Sequence, residues 1–280
     1  MNEKNQNVDY DVVSDFGDEW KAFDQSDLSD AERKQQFDAY FSIFPWDRIA
    51  SDAIGFDAGC GTGRWALLVV ARVGHLHCVE PSVAIDVAKR NLEGYSNCSF
   101  HRKTISDMPF PDNSMNFGFS LGVLHHMPDT QQGIRDCVAK LKPGAPFLVY
   151  LYYAFDNQPV WFRRLWTMSD VGRRVISQLP YCAKYVVSQL IALFVYLPLA
   201  RIANVFKKMG VNVHSWPLSI YGDKSFYSMR TDALDRFGTK LEKRYTKEQI
   251  LVMMERAGLQ DVVFSSSMPY WCAVGFKCQE

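Results

Sequence analysis

The chain has 280 residues, 48 % of them apolar, with 31 Lys plus Arg against 31 Asp plus Glu. That length suits one large domain or one domain with a sizeable insertion, and the apolar content excludes wholesale disorder. Zero formal net charge disfavours a globally basic nucleic-acid binder, though not a local basic patch.

The seven cysteines show no Cys-x-x-Cys spacing, so neither a disulfide framework nor a metal site is expected. Met1 to Tyr10 is polar and lacks a basic-then-apolar leader pattern, which points to a reducing, cytoplasmic setting.

Residues 1–50 form a first segment. Residues 1–40 carry eleven acids against four bases, and Ser29–Phe44 reads as a helix with Phe37, Tyr40, Phe41 and Phe44 at helical spacing. From Ala53 the pattern becomes strand and helix in alternation. Strands are expected at Ala53–Ala58, His75–Glu80, Cys98–Lys103, Asn116–Leu121 and Phe147–Tyr153. Helices are expected at Arg64–Val73, Val83–Leu92 and Asp129–Leu141, the last with Asp129 as cap and Gln132 at a capping-box position. Such alternation argues for a parallel α/β sheet covered on both faces.

The alternation lapses over 154–245, which reads as an inserted helical region. It contains helical pieces at Trp161–Gly172, Arg173–Leu179 and Lys184–Met209, and residues 154–210 hold eight bases against two acids. The uncharged run Tyr185–Ala200 is short for a membrane span, so a buried helix is expected, with membrane-surface contact as the alternative. Tyr221–Thr239 shows no clean period and is expected to be a loop or lid. Periodicity resumes at Thr246, where Thr246 and Gln249 make a capping box. Leu259–Phe264 and Tyr270–Phe276 then suit an antiparallel hairpin. The expected core is therefore 51–153 with 246–280.

The segment Phe56-Asp57-Ala58-Gly59-Cys60-Gly61-Thr62-Gly63 carries the most chemistry. A strand enters a turn that lets backbone approach a ligand, then a helix. The spacing is Gly-x-Gly-x-Gly after an acid, which is wrong for a nicotinamide dinucleotide and better suited to a cationic or amine-bearing ligand. Glu80, at the end of the second strand, stands where doubly wound sheets place an acceptor for ribose hydroxyls.

This loop and acid resemble those of the class I S-adenosylmethionine-dependent methyltransferases. So do Met108-Pro109-Phe110-Pro111-Asp112-Asn113-Ser114, Gly122-Val123-Leu124-His125-His126-Met127-Pro128-Asp129 and Leu141-Lys142-Pro143-Gly144. The resemblance implies a Rossmann-like doubly wound sheet of seven strands, mostly parallel with an antiparallel edge strand, the helical insertion acting as a cap. It implies S-adenosylmethionine as cofactor. Gly59, Gly61 and Gly63 would lie by its methionine part, Asp57 and Ala58 would set the loop, and Glu80 with Pro81 would hold the ribose. Leu121 would line the site. Thr104 stands where the family often has an acid facing the adenine, leaving that work to backbone groups of Ile105 and Ser106 or to the nearby Asp107. The whole chain is similar to a bacterial methyltransferase-domain group without an assigned substrate, in which the N-terminal segment folds over the cofactor. That makes Phe16 and Trp20 candidates for such a cover, with core packing as the alternative.

For catalysis, His125 and His126 end strand four and are candidate bases, or else pack the turn. Tyr152 and Tyr153 at the end of strand five, and Tyr227 and Arg230 in the expected lid, are candidate acceptor contacts. Core packing, or an Arg230–Asp232 pair, is the plainer reading. The expected activity is methyl transfer to a small-molecule acceptor at oxygen, on a sugar, lipid or natural-product scaffold. An RNA methyltransferase and a non-catalytic cofactor-binding partner module are the alternatives. A peripheral membrane, a lipid-linked substrate and a homodimer fit the apolar insertion.

Overall fold

The computed structural model describes residues 7–213 and 215–279; Glu3 and Lys4 of the acidic start lie outside the described residues. In chain order the elements are α1 (Tyr10–Ala22), α2 (Asp30–Tyr40), β1 (Ile54–Ala58), α3 (Ala66–Val69), β2 (His75–Val79), α4 (Ala84–Asn91), β3 (Cys98–His101), β4 (Phe117–Leu121), α5 (Thr130–Lys140) and β5 (Pro146–Tyr150). They continue with α6 (Val160–Ile176), α7 (Tyr181–Ile191), α8 (Leu197–Lys208), α9 (Phe226–Gly238), α10 (Lys247–Arg256), β6 (Leu259–Phe264) and β7 (Cys272–Lys277). They divide into two compact units. One contains residues 1–24, 33–154 and 241–280, the other 25–32 and 155–240.

The first unit is built on a seven-stranded sheet of order β3-β2-β1-β4-β5-β7-β6. β1 to β5 pair in parallel, and β7 runs antiparallel to both β5 and β6. This is a Rossmann-like doubly wound sheet. The central strands are apolar on both faces because helices cover both. Phe117, Phe119 and Leu148 point into one core with Phe37 and Phe41, while Phe56, Phe147 and Val149 point into the other with Ile134 and Ile250. Crossovers leave β1 and β4 in opposite directions, so a crevice opens at their carboxyl ends, where open α/β sheets bind ligands.

Several local expectations need correction. Asp129 does cap α5, its Oδ1 accepting from Gln132 N at 3.0 Å, but no box forms: the Gln132 amide turns to Asp136. Asn7 brackets Asp129 instead, accepting from its N–H at 2.7 Å and donating to its carbonyl at 2.6 Å. The expected helix over Arg64–Val73 is one turn, α3, followed by a 3₁₀ turn. Thr246 and Gln249 form the full capping box.

The second unit is helical. The stretch expected as a loop is α9, capped by Ser225, whose side chain accepts from Ser228 N. Its buried face includes Ser228, Thr231 and Gly238 beside Met229, Ala233 and Leu234, so small polar residues erase the hydrophobic period. α6 runs unbroken through Gly172. α7, a π-helical turn at Ala192–Tyr196 and α8 form one helix, Tyr181–Lys208, which continues past Pro198 because the proline falls in the first turn of α8. α9 packs against α6, α7 and the π turn, with Ala192, Tyr196, Ala200, Met229 and Ala233 in the core.

The buried-helix expectation for Tyr185–Ala200 fails. Only 28 % of the helix's most apolar 18-residue window is buried. The inward positions, Ser188, Ala192, Tyr196 and Ala200, are mostly small, and the large side chains between them face out.

Candidate active site

The glycine loop sits between the ends of β1 and β4. Gly59 and Cys60 both donate their N–H to the Val79 carbonyl, at 2.8 and 3.0 Å, which locks the loop to the end of β2. The Ser120 hydroxyl donates to the Ala58 carbonyl at 2.8 Å and ties β4 to the same turn. All three loop glycines have positive φ, and at two of them packing forbids a side chain as well: a Cβ at Gly59 would lie 2.4 Å from Val123, and one at Gly63 would meet Leu92 and Ala88. Gly61, at φ +53°, has Trp20 of α1 as its neighbour, 3.4 Å from where a Cβ would be.

Two carboxylates face this loop. Glu80 accepts from Gly61 N at 3.2 Å through one oxygen and from Ser82 N at 2.9 Å through the other. Asp57 is buried, and neither of its oxygens has a hydrogen-bond partner among the described residues. Burial, then the Glu80 charge, pushes the Asp57 carboxyl well above its ordinary range, with Arg64 opposing. Burial also raises Glu80, against the hydrogen bonds from Ser82 and Gly61. A buried acidic pair of this kind is costly unless a cationic or hydrogen-bonding ligand meets it.

α1 crosses the same edge. Gly17 packs on Val83 at the start of α4, the Trp20 ring lies by Gly61 with Arg64 5.8 Å from its centroid, and Phe16 meets His126 edge-on at 4.8 Å. His125 and His126 occupy a 3₁₀ turn, Leu124–His126, just past β4. His126 Nδ1 lies 2.6 Å from the Leu241 carbonyl oxygen. A carbonyl only accepts, so Nδ1 carries the proton and the neutral ring presents its lone pair at Nε2. His125 is fully buried, its ring tilted against that of Tyr152 with centroids 3.9 Å apart, and neither ring nitrogen has a hydrogen-bond partner among the described residues.

Residues 56–149 match a family model described as "Methyltransferase domain". This stretch is a class I S-adenosylmethionine-dependent methyltransferase domain. The chain is 32 % identical over 110 residues to a protein of Mycolicibacterium smegmatis named a probable S-adenosylmethionine-dependent methyltransferase, covering 37 % of this chain and 41 % of that one. It is 24 % identical over 134 residues to demethylmenaquinone methyltransferase of Bacillus licheniformis, covering 45 % and 55 %. Its fold is similar to that of Haemonchus contortus phosphoethanolamine N-methyltransferase 2, solved with phosphomonomethylethanolamine and S-adenosylhomocysteine. There the TM-score is 0.50 and the identity 17 %, covering 93 % of this chain and 44 % of that one. The chain spans about two fifths of the length of the first of these curated relatives.

The methyltransferase domain brings most of the expected cofactor positions to one edge. Asp57, Ala58, Gly61, Glu80 and Leu121 end or follow β1, β2 and β4. Pro81 also lines an open groove of about 290 Å³ on the far side of α1, with Ser82, Tyr10 and Arg102. Thr104 precedes a 3₁₀ turn, its hydroxyl buried without a hydrogen-bond partner, and Ile105 is buried. The exposed Ser106 hydroxyl instead donates to Asp136 of α5 at 2.7 Å.

Among the acceptor candidates, Tyr152 joins the histidines, whereas the Tyr153 ring packs on Tyr270 at 5.8 Å. Tyr227 and Arg230 lie in α9 of the helical unit. The Tyr227 hydroxyl accepts from Gln25 N, and Arg230 donates to Gln189 and to the Tyr185 hydroxyl of α7. Asp232 pairs with Lys224 at 3.9 Å, not with Arg230.

Sequence reading missed the strap Leu241–Tyr245. Lys243 N donates to the His125 carbonyl, and Tyr245 N donates to the Tyr152 carbonyl. Arg244 lies 5.0 Å over the Tyr152 ring and binds Glu242 at 2.7 Å in a buried ion pair. Burial, then His126 and Arg244, depresses the His125 pKa well below the usual imidazole range. The only sequence signal of the strap is the charged run Glu242-Lys243-Arg244 before a capped helix.

Proposed function

We propose that the chain transfers a methyl group from S-adenosylmethionine to a hydroxyl oxygen of a small-molecule acceptor, with His126 as general base. The observation that carries this reading is the buried acidic pair Asp57 and Glu80 behind a glycine loop, with Arg64 the cation that acts on Asp57. Such a site favours a ligand that carries positive charge. S-adenosylmethionine, when bound, supplies a sulfonium methyl whose leaving group is a neutral thioether.

This chain's residues would do the rest. The carboxylate of Glu80, now spent on Gly61 N and Ser82 N, has the acceptor capacity to take ribose hydroxyls. Phe16 and Trp20 of α1 exclude water from the loop and from the base. His126, oriented by the Leu241 carbonyl, takes the acceptor's hydroxyl proton at Nε2 as the new C–O bond forms. The closely packed His125 and Tyr152 rings form an aromatic wall beside it.

Isothermal titration with S-adenosylmethionine and S-adenosylhomocysteine tests the cofactor half, and an absence of heat with both would overturn it. Methyl-labelled cofactor with pooled hydroxylated metabolites tests the transfer. His126→Gln is expected to keep cofactor affinity and lose methyl transfer; an unchanged rate would remove His126 from the base role.

A further inference from the structure

The helical unit presents a surface that its own fold leaves uncovered. Along Tyr181–Lys208 the side chains of Val186, Leu190, Phe194, Leu199, Ile202 and Met209 just beyond it are exposed, Phe194 at 69 % and Met209 at 70 %. Their spacing is four, four, five, three and seven residues. The five-residue step spans the π turn. In an α-helix each four-residue step overshoots a full turn by about 40°, so a long stripe drifts around the axis. The wider π turn takes up that drift. It keeps Ser188, Ala192, Tyr196 and Ala200 on the inward line at constant steps of four, and keeps the apolar stripe opposite them.

The charge around the stripe is one-sided. Residues 170–223 hold two acids, Asp170 and Asp223, against six bases: Arg173, Arg174, Lys184, Arg201, Lys207 and Lys208. Asp170 pairs with Arg173 and Arg174, and Asp223 pairs with Lys207 at 2.8 Å, which leaves the segment net basic. Lys207 and Lys208 are exposed at the end of α8, next to Phe206 and Met209. A chain of zero net charge has thus put a net-basic segment where many of its exposed apolar side chains are.

We infer that this face lies on a lipid bilayer bearing anionic headgroups, in the plane of the interface. Apolar side chains enter the acyl boundary and flanking lysines meet the headgroups. The helix is long and apolar enough to cross a bilayer, but its other face is committed to polar partners. Lys184 donates to the Gly238 carbonyl, Arg230 of α9 binds Gln189 and Tyr185, and Arg201 binds the Gly222 carbonyl. The buried Lys184 and the half-buried contact of Arg230 with Gln189 and Tyr185 belong inside protein, not against acyl chains, which leaves the in-plane arrangement.

The test is co-sedimentation of the full chain with vesicles of phosphatidylcholine alone and of phosphatidylcholine with phosphatidylglycerol. Binding is expected on the anionic vesicles and to weaken as salt rises. Phe194→Asp with Met209→Asp should lower binding tenfold or more, with an unchanged melting temperature because both side chains are exposed. Lys207→Gln with Lys208→Gln should remove the preference for anionic lipid. The inference is overturned if the wild-type chain stays in the supernatant with both vesicles, or if the Asp variants bind as wild type does. It is also overturned if light scattering finds a dimer that the Asp variants return to monomer, since a second copy would then cover the face. None of these readouts involves the cofactor, so each outcome is independent of the methyl-transfer reading.

Discussion

The two units solve opposite problems. The sheet unit encloses its apolar residues on both faces and leaves polar groups buried without partners, Asp57 and His125 above all. The helical unit pairs its buried charges, Arg173 with Asp170 at 2.6 Å and Lys184 with the Gly238 carbonyl, and leaves apolar side chains outside. Unsatisfied polarity inside a fold and uncovered apolarity outside it are both unfavourable in the free chain. Each is removed when the matching partner arrives, so the unsatisfied groups mark where each unit expects company.

The sharpest way to break the first half of this contrast is Gly61→Val. A side chain there is strained at φ +53° and intrudes toward Trp20. Cofactor affinity should fall about a hundredfold, roughly 3 kcal/mol, with the circular dichroism unchanged. Retained affinity would show that Gly61 does not face the ligand. In the helical unit, Arg173→Met should cost about 2–3 kcal/mol in urea unfolding, because Asp170 and the Thr239 carbonyl lose a buried donor. Arg174→Met, removing the exposed arm of the same cluster, should stay within about 0.5 kcal/mol.

His125 sharpens the contrast through pH. Its folded-state pKa lies below the unfolded value near 6.5, so its contribution to stability is present above that pH and is lost as pH falls below it. Between pH 6.5 and 5.5 the wild-type chain should lose stability faster than His125→Phe, by at most about 1.4 kcal/mol per pH unit. Parallel curves would mean that His125 does not stay neutral in the fold. Asp57 has the opposite sign. Its raised pKa means that its favourable contribution is confined to acid pH and lost as pH rises, so at neutral pH the buried carboxylate is a cost. Asp57→Asn should raise the melting temperature of the free protein by about 2–4 °C, for about 1 kcal/mol, while weakening cofactor affinity. A lower melting temperature would mean that the carboxylate is satisfied without ligand.

The centre of the sheet was legible because β1, β2 and β4 each end at a local signal, an apolar run closing on Gly59, Glu80 or Gly122. The loop was legible because its chemistry is contiguous, from Asp57 to Gly63. What stayed hidden depends on distant partners. α1 has few apolar residues and is held by Val83, His126 and Gly61, so its periodicity was faint. The Leu241 carbonyl that orients His126 is a backbone atom 115 residues away, which no side-chain pattern announces. α9 hides behind the small polar residues of its inner face. The outward stripe of α7 and α8 was visible as hydrophobicity, but which way it faced was decided by the π turn.

α1 is fastened near both ends. Before its start, Asn7 clamps both backbone groups of Asp129; past its end, Asn91 donates to the carbonyls of Asp24 and Thr62, each at 3.0 Å. Trp20 sits between these two fastenings, against Gly61. Anything that reaches Gly61 from that side must displace an indole whose helix is bolted by two asparagines. If the loop holds the proposed cofactor, filling it is therefore expected to change the environment of one tryptophan, which Trp20 fluorescence would report.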